Sequence, residues 1–471
     1  MKTRLNGNKK NAKVLLVQPN YSQQKKYTRY SISPPLGLAY IAATLEKNGI
    51  CVEILDANAL NLSVQDVVRK VKEIQADIVG VSILMTGYKY GVEIARKIPK
   101  NILSVCGGAY PSSVPEQIIK DGFDIAVKGR GEQPMLDLAL GKKIEDIPGI
   151  YYQKDKKINH NPPHAANNLK SDPLPLPARH LLINNGVNLP YQLAGTMHFP
   201  WSPIFTSIGC PYQCYYCSKQ VFDRFMPRSP EDIFNEIEFL VKQYQVKEID
   251  VYDDCFNADA NRAEKILDLI IESGLNIKLR FPNGIRANNV NELFIKKMKK
   301  AGCVEIAYGI ESGNQGILDK IPKALLLEDV RKAVQYTKKE NILTIGFFIL
   351  GLRGDNEKSM QETIDFAKEL SVDVPFFSIL TPYPGTPLWK TIEEKGEFLI
   401  EDYDDLHQSS GKMIFSHPDF PSPELVEKMY KKAYREIYFS FKYIFQTMSK
   451  LTWKQFVLGI RGLPSIIKNS F

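Results

Sequence analysis

Apolar runs of strand length alternate with helix-period segments along most of this chain, and that alternation leaves few folds open to it. From Lys13 the order is KVLLVQP, a helix in PPLGLAYIAATLEKNG, then CVEILDA, a helix in VQDVVRKVKEIQ, DIVGVSIL, a helix in YGVEIARKI, ILSVCGG, a helix in SVPEQIIKD, and DIAVKG. The apolar runs are continuous, so each strand is buried on both faces, as in a parallel sheet covered by helices. Prolines open the first helix and Gly49 stops it, the usual asymmetry of helix ends. Residues 13–150 therefore predict an α/β, doubly wound, flavodoxin-like domain whose ligand lies beyond the carboxyl ends of its strands.

A connector follows. SDPLPLPARHLL carries too much proline for a helix and NHNPPHAANN before it has no period, so 151–197 reads as a linker. The alternation resumes near Pro200 with IFTSIG, EIDVYDD, KLRFPNG, VEIAYGIE, LTIGFFILG and VPFFSILTPY, separated by segments with apolar positions at helical spacing. Six such steps predict a parallel barrel or partial barrel over 198–400, with its chemistry at the carboxyl ends of the strands. Residues 401–471 read as a helical segment.

Directly after the first strand of the second set, SIGCPYQCYYCSK places Cys210, Cys214 and Cys217 within eight residues. The other four cysteines, Cys51, Cys106, Cys255 and Cys303, are scattered. A structural zinc site wants four ligands, and here a distant histidine would have to complete it. A disulfide would leave one of the three thiols unpaired. The C-x3-C-x2-C spacing suits a cubane cluster, with three irons held by thiolates and the fourth left open. The basic stretch KTRLNGNKKNAK has no apolar core behind it, and no run reaches the roughly 18 apolar residues of a membrane span. The expectation is a cytoplasmic chain in thiol-reducing surroundings.

The cysteine motif, with the aromatic Tyr216 before its last cysteine, resembles the cluster motif of the radical S-adenosylmethionine (SAM) superfamily. The resemblance implies a 4Fe–4S cluster on Cys210, Cys214 and Cys217, SAM chelated at the open iron, and one-electron cleavage to a 5′-deoxyadenosyl radical. It implies SAM contacts from Tyr216, from Asp253 and Asp254 in VYDDCF, from Arg286 in PNGIRANNV, and from Glu311 and Ser312 in AYGIESG. GFFILGLRGD stands where family members often read Gly-Leu-Pro-Gly-Glu-Thr, and Arg353, Asp355 and Asn356 depart from that pattern. Without the resemblance, the two aspartates are solvated loop acids, Glu311 caps a helix, and Cys255 and Cys303 are ordinary buried thiols.

A doubly wound domain ahead of such a barrel resembles the cobalamin-binding branch, and SPPLGLAYIAATL, CGGAYPS, VKGRGE, IPGIYY and PLPLPARHLL follow in that branch's order. This implies cobalamin over the strand ends, touching Asn20, Leu84, Thr86, Gly107, Gly108, Gly129 and Glu132. QPNYSQ stands after the first strand where a dinucleotide site would need G-x-G-x-x-G. Many cobalamin domains bind cobalt from below through Asp-x-His-x-x-Gly. The six histidines here, His160, His164, His180, His198, His407 and His417, all lie beyond residue 150, so a histidine-off form is expected.

The resemblance implies methyl transfer to an unactivated carbon of a small or lipid-like molecule, a one-electron reductant such as flavodoxin or ferredoxin as partner, and no nucleic acid. Oxidative cyclisation or rearrangement would use the same machinery, and a cobalamin or redox sensor would bind the cofactors without consuming SAM. A tRNA methylthiotransferase resembles the barrel, but its first domain usually carries three further cluster cysteines, where this chain has Cys51 and Cys106. Of the net charge of +8, residues 424–471 supply +6, from nine Lys or Arg against three Glu. There Tyr430, Tyr434 and Tyr438 recur four residues apart among Lys428, Lys431, Lys432 and Arg435. A basic helix of this kind can touch an anionic membrane surface. The expectation favoured here is the commoner one, that the stripe packs on the barrel.

Overall fold

The computed structural model describes residues 12–21, 32–162, 174–184, 187–188, 191, 195–219, 221, 224–400, 410–440 and 443. They group into two compact units, one within 1–196 together with 219–227, the other within 197–218 and from 228 onward.

In the first unit, β1 (Lys13–Gln18), β2 (Cys51–Asp56), β3 (Ile78–Ser82), β4 (Leu103–Gly107) and β5 (Ile125–Val127) form a sheet in the order β2-β1-β3-β4-β5. All four pairings are parallel. Successive side chains on a strand point to opposite faces, so Leu16 joins a core with Leu38 and Leu45 of α1 (Leu36–Lys47). Leu15 and Val17 join another, with Val67 and Val71 of α2 (Val64–Ile74) and Ile94 of α3 (Tyr88–Lys97). Ile118 of α4 (Pro115–Asp121) belongs to this second core and Met135 of α5 (Glu132–Ala139) to the first. The doubly wound arrangement is thus written in the strands themselves. The sheet also runs past the expected boundary at residue 150. β6 (Ile150–Lys154) adds antiparallel to β5, and β7 (Lys157–His160) antiparallel to β6. The two-residue turn between them puts Asp155 and Lys156 at φ 51° and 63°, the left-handed backbone of a tight hairpin. No glycine marks this turn in the sequence.

The second unit is built on six parallel strands in chain order: β8 (Trp201–Ile204), β9 (Glu248–Val251), β10 (Lys278–Ile285), β11 (Cys303–Glu311), β12 (Leu343–Leu350) and β13 (Val374–Ile379). Among the described residues no ladder joins β13 back to β8, so the barrel is partial. The strands alternate with α6 (Pro230–Tyr244), α7 (Ala260–Ser273), α8 (Glu292–Lys300), α9 (Leu327–Lys339) and α10 (Glu357–Leu370), and α11 (Pro387–Lys395) follows β13. Ser229, Asp259, Asn291, Asn356 and Thr386 cap α6, α7, α8, α10 and α11 by accepting a first-turn N–H, each cap contributing about 1 kcal/mol. The caps fix where each strand-to-helix loop must end. The first ladder lies three residues earlier than IFTSIG suggests, because Phe205–Gly209 leaves the sheet toward the cysteines.

At the open edge of β13 lies α12 (Pro423–Tyr438). The hydroxyls of Tyr434, Tyr438 and Tyr443 donate to the carbonyls of Phe377, Pro375 and Asp373 at 3.2, 2.7 and 3.0 Å. These alternate carbonyls all face one way along the strand, so the tyrosines satisfy an edge that would otherwise be exposed to pairing. Their rings meet in series, Tyr434 stacked on Tyr438 at 5.4 Å and Tyr438 edge-on to Tyr443 at 5.0 Å. The stripe therefore packs on the partial barrel, as expected. Lys428 pairs with Glu357 of α10 at 3.0 Å. Most of the segment beyond Ser440 lies outside the described residues. No described helix is long and apolar enough to cross a membrane.

Candidate active site

The cysteine loop leaves the sheet under the control of one carboxylate. Asp253, 1% exposed just past β9, accepts the Thr206 N–H and the Ser207 hydroxyl, both at 2.6 Å, and the Thr206 hydroxyl. Arg262 reinforces the same corner: its Nε donates to the Arg228 carbonyl at 2.9 Å and its Nη2 to that of Thr206. Burial raises the Asp253 carboxyl above its usual range, opposed by the Arg262 charge. Asp254, its neighbour in sequence, is exposed.

Beyond this corner Cys210 and Cys214 are half-buried and Cys217 is exposed, none of them in a disulfide. A turn closes the loop, with the Cys217 N–H on the Cys214 carbonyl at 3.1 Å. Burial raises the Cys214 thiol; Lys323 and Arg286 lower it, and Glu311 and Cys210 raise it. Cys255 is more than an ordinary buried thiol: a hydrogen bond with Cys210, then burial, raises it strongly. Cys303 lies in β11, buried, with its thiol toward the Glu305 carbonyl.

Arg286, buried at the end of β10, lays its guanidinium over the Tyr212 ring, 3.5 Å from the centroid. Its own place is fixed by Asn257, which accepts the Arg286 N–H and donates to the Arg286 carbonyl, each at 2.9 Å, and by Asn288 at 3.0 Å. β11 ends on Glu311, held at φ 68°, and its carboxylate meets the Lys323 ammonium, which also donates to the Gly309 carbonyl at 2.6 Å. A Cβ at Gly309 would lie 2.8 Å from both partners of that ion pair. Ser312 is fully buried, with its hydroxyl 3.2 Å from that of Thr363. Tyr216 buries a hydroxyl that has no partner among the described residues.

In the first unit, the candidate residues gather beyond the carboxyl ends of β1, β3, β4 and β5. Asn20 is buried and donates to Asn61 and the Leu62 carbonyl, at 3.2 and 3.1 Å. Leu84 is 50% exposed, an apolar side chain left uncovered just where a ligand would lie. Thr86 follows it in a single 3-10 turn. At Gly107 a Cβ would touch only Val127, at 3.8 Å, so the backbone there is open to close approach. Gly108 serves the protein itself: it sits at φ 110°, and a Cβ would lie 2.9 Å from the Ile83 carbonyl oxygen. Ser112 ties the next loop down, donating to the Gly108 carbonyl at 2.7 Å and accepting the Gly129 N–H at 3.0 Å. Glu132 begins α5 and pairs with Arg130 at 3.3 Å. At the end of β2 the buried Asp56 accepts from the Tyr191 hydroxyl at 3.0 Å, and burial pushes its carboxyl up to about 6.

Residues 27–139 match the B12 binding domain family and residues 204–367 the Radical SAM superfamily. An uncharacterized methyltransferase of Pyrococcus horikoshii is 32% identical over 90% of this chain and 92% of its own. This chain is a B12-binding radical SAM protein. The anaerobic magnesium-protoporphyrin IX monomethyl ester cyclase of Rubrivivax gelatinosus is 26% identical over 83% of the chain and 72% of its own. The radical SAM methyltransferase TsrM of Kitasatospora setae, solved with cobalamin and a [4Fe-4S] cluster, shares the fold with a TM-score of 0.67 at 21% identity, over 82% of this chain and 78% of that one.

The donor set of this radical SAM protein fits a polynuclear cluster. Three thiols share one loop just past β8, the number and spacing of thiolates that hold such a cluster with one iron left open. The partnerless Tyr216 hydroxyl and the Gly309 floor beneath Glu311 and Lys323 fit a polar ligand beside those thiols. The sequence reading missed Lys323, Tyr212, Arg262 and Asn257. Lys323 lies in IPKAL, twelve residues past Glu311, and only the fold returns it to the strand end. Tyr212 lies within the motif itself, midway between Cys210 and Cys214, and that position was the available signal.

Proposed function

We propose that this radical SAM enzyme is a cobalamin-dependent methyltransferase acting on an unactivated carbon of a small or lipid-like molecule. The observation that carries the reading is the loop of three cysteines, none in a disulfide, at the carboxyl end of a six-stranded partial barrel, with the charges of Glu311, Lys323 and Arg286 acting on Cys214. When bound, the cluster, SAM and cobalamin supply an electron, a 5′-deoxyadenosyl radical and a methyl group. Cys210, Cys214 and Cys217 hold the cluster. Glu311 and Lys323 offer an acceptor and a cation for the polar ends of SAM, Asp254 and Ser312 lie on neighbouring loops, and Tyr216 offers a buried hydroxyl. Arg286 fixes the loop through Tyr212. In the other unit Leu84 supplies apolar contact and Gly107 an open backbone for the corrin. The domains that go with this reading are a cobalamin domain over 13–160, a connector to 197, the partial barrel over 198–400 and a C-terminal segment over 401–471. A flavodoxin- or ferredoxin-like reductant delivers the electron. Peripheral membrane contact would fall to the basic residues beyond Ser440, because the tyrosine stripe is engaged with β13.

Cyclisation without methyl transfer is the second reading, favoured by the cyclase that matches 83% of the chain. SAM labelled in its methyl group separates the two. Methyl transfer predicts S-adenosylhomocysteine, formed only when cobalamin is present, and label in the product. Turnover with no S-adenosylhomocysteine would select the cyclase reading.

A further inference from the structure

The loop after β12 departs from its family's pattern at Arg353, and it does so inside a rigid turn. Gly351 and Gly354 take φ 86° and 80°. The buried Asp355 closes the turn, accepting the Leu352 N–H at 2.9 Å and the Ser359 hydroxyl at 2.6 Å. The Arg353 backbone is thereby presented to the cysteine loop, where its N–H donates to the Tyr215 hydroxyl at 3.2 Å. Its guanidinium lies 5.9 Å from the Tyr215 ring centroid and 5.4 Å from that of Phe420. Nε is 3.9 Å from Asp419 and makes no hydrogen bond among the described residues, while the side chain as a whole is 43% exposed. Tyr215 stands between Cys214 and Tyr216, and its carbonyl accepts the Leu388 N–H at 3.0 Å, in the first turn of α11.

One cation therefore bridges an aromatic ring of the cysteine loop and an aromatic ring of the segment that leads into α12. Phe420 is held by Phe415 at 5.3 Å and His417 at 5.4 Å, so it is a fixed wall. A planar guanidinium can lie on two such faces, which an ammonium does less well. A positive charge beside a cluster also makes its reduction easier.

We propose that Arg353 is a positioning residue of the cysteine loop, coupling the segment around Phe420 to the seat of the cluster and easing its reduction. The proposal rests on the cluster assignment above. The full chain, reconstituted anaerobically with iron and sulfide, is challenged with a ferrous chelator and titrated for its reduction potential. Arg353→Leu releases iron roughly tenfold faster, the loss expected for two such contacts, and its potential falls. Arg353→Lys keeps the potential and still releases iron faster. Phe420→Leu accelerates release in the wild-type background and adds nothing to Arg353→Leu, as for groups acting as one unit. Should Arg353→Leu fail to fold by circular dichroism, Arg353→Lys and Phe420→Leu carry the same test. Wild-type protein that binds no more iron than Cys214→Ala would overturn the cluster assignment. Wild-type protein that binds the cluster, with variants matching it in both release rate and potential, would overturn the role of Arg353 alone.

Discussion

Replacing Asp253 by alanine tests whether that carboxylate builds the site or touches SAM. It accepts the Thr206 N–H and the hydroxyls of Thr206 and Ser207. The hydroxyls can rotate toward other acceptors. The Thr206 N–H cannot, and a buried donor left unmade costs about 1–3 kcal/mol. Arg262, buried beside it, loses the charge that opposes its own desolvation, which adds a comparable amount. The sum, about 3 kcal/mol, corresponds to a fall of roughly 6–12 °C in the melting temperature of a unit this size. Asp253→Asn keeps one acceptor oxygen and falls between. Thermal melting followed by circular dichroism, with iron content after reconstitution, reads both consequences. Because the damaged corner is three residues before Cys210, iron content falls with stability. An Asp253→Ala protein that melts like the wild type, retains its iron, and shows only a raised KM for SAM would refute the positioning argument and restore a direct contact.

Asp250 lies with Glu248, Glu305 and Arg280 in a buried cluster, Arg280 reaching Glu305 at 2.8 Å and Asp250 at 3.3 Å. Burial, helped by the two neighbouring acids, raises Asp250 from 3.8 to about 7. A raised carboxyl binds its proton more tightly in the folded chain, so its stabilising contribution is present below about pH 4 and is lost as pH rises to about 7. The shift is worth on the order of 4 kcal/mol. Asp250→Asn should flatten the decline in denaturant stability between about pH 4 and pH 7; an unchanged slope would contradict the assignment. Gly309→Ala should weaken SAM binding roughly tenfold with little change in melting temperature, because the new Cβ displaces only the flexible ends of Glu311 and Lys323; equilibrium dialysis with SAM decides it, and unchanged binding would remove that pair from the site. The cobalt(II) EPR spectrum of the cobalamin-loaded protein should show no histidine superhyperfine pattern, since residues 1–150 contain no histidine; such a pattern would require a ligand from elsewhere in the chain.

What the sequence showed and what it hid divide along a physical line. The two faces of the first sheet follow from local periodicity, because Leu15 and Leu16 have to point opposite ways. The cysteine loop was legible because its spacing is itself the ligand geometry. Asp253 and Asp254 are adjacent and chemically identical in the sequence. Only the return of Thr206, 47 residues earlier, separates a buried anchor from an exposed acid. Lys323 and Arg353 were hidden likewise, since their partners come from other strand ends. The hairpin after residue 150 escaped because Asp155 and Lys156 adopt left-handed backbone without the glycine that usually announces it.

The central claim is that Cys210, Cys214 and Cys217 make this chain a SAM-cleaving radical enzyme. The most direct measurement reconstitutes the protein anaerobically with iron, sulfide and hydroxocobalamin, adds SAM and a strong reductant, and chromatographs the nucleosides beside a Cys214→Ala control. The account predicts 5′-deoxyadenosine from the intact protein and none from the control. Equal amounts from both, or none from a wild-type protein shown to hold its cluster and bind SAM, would contradict it.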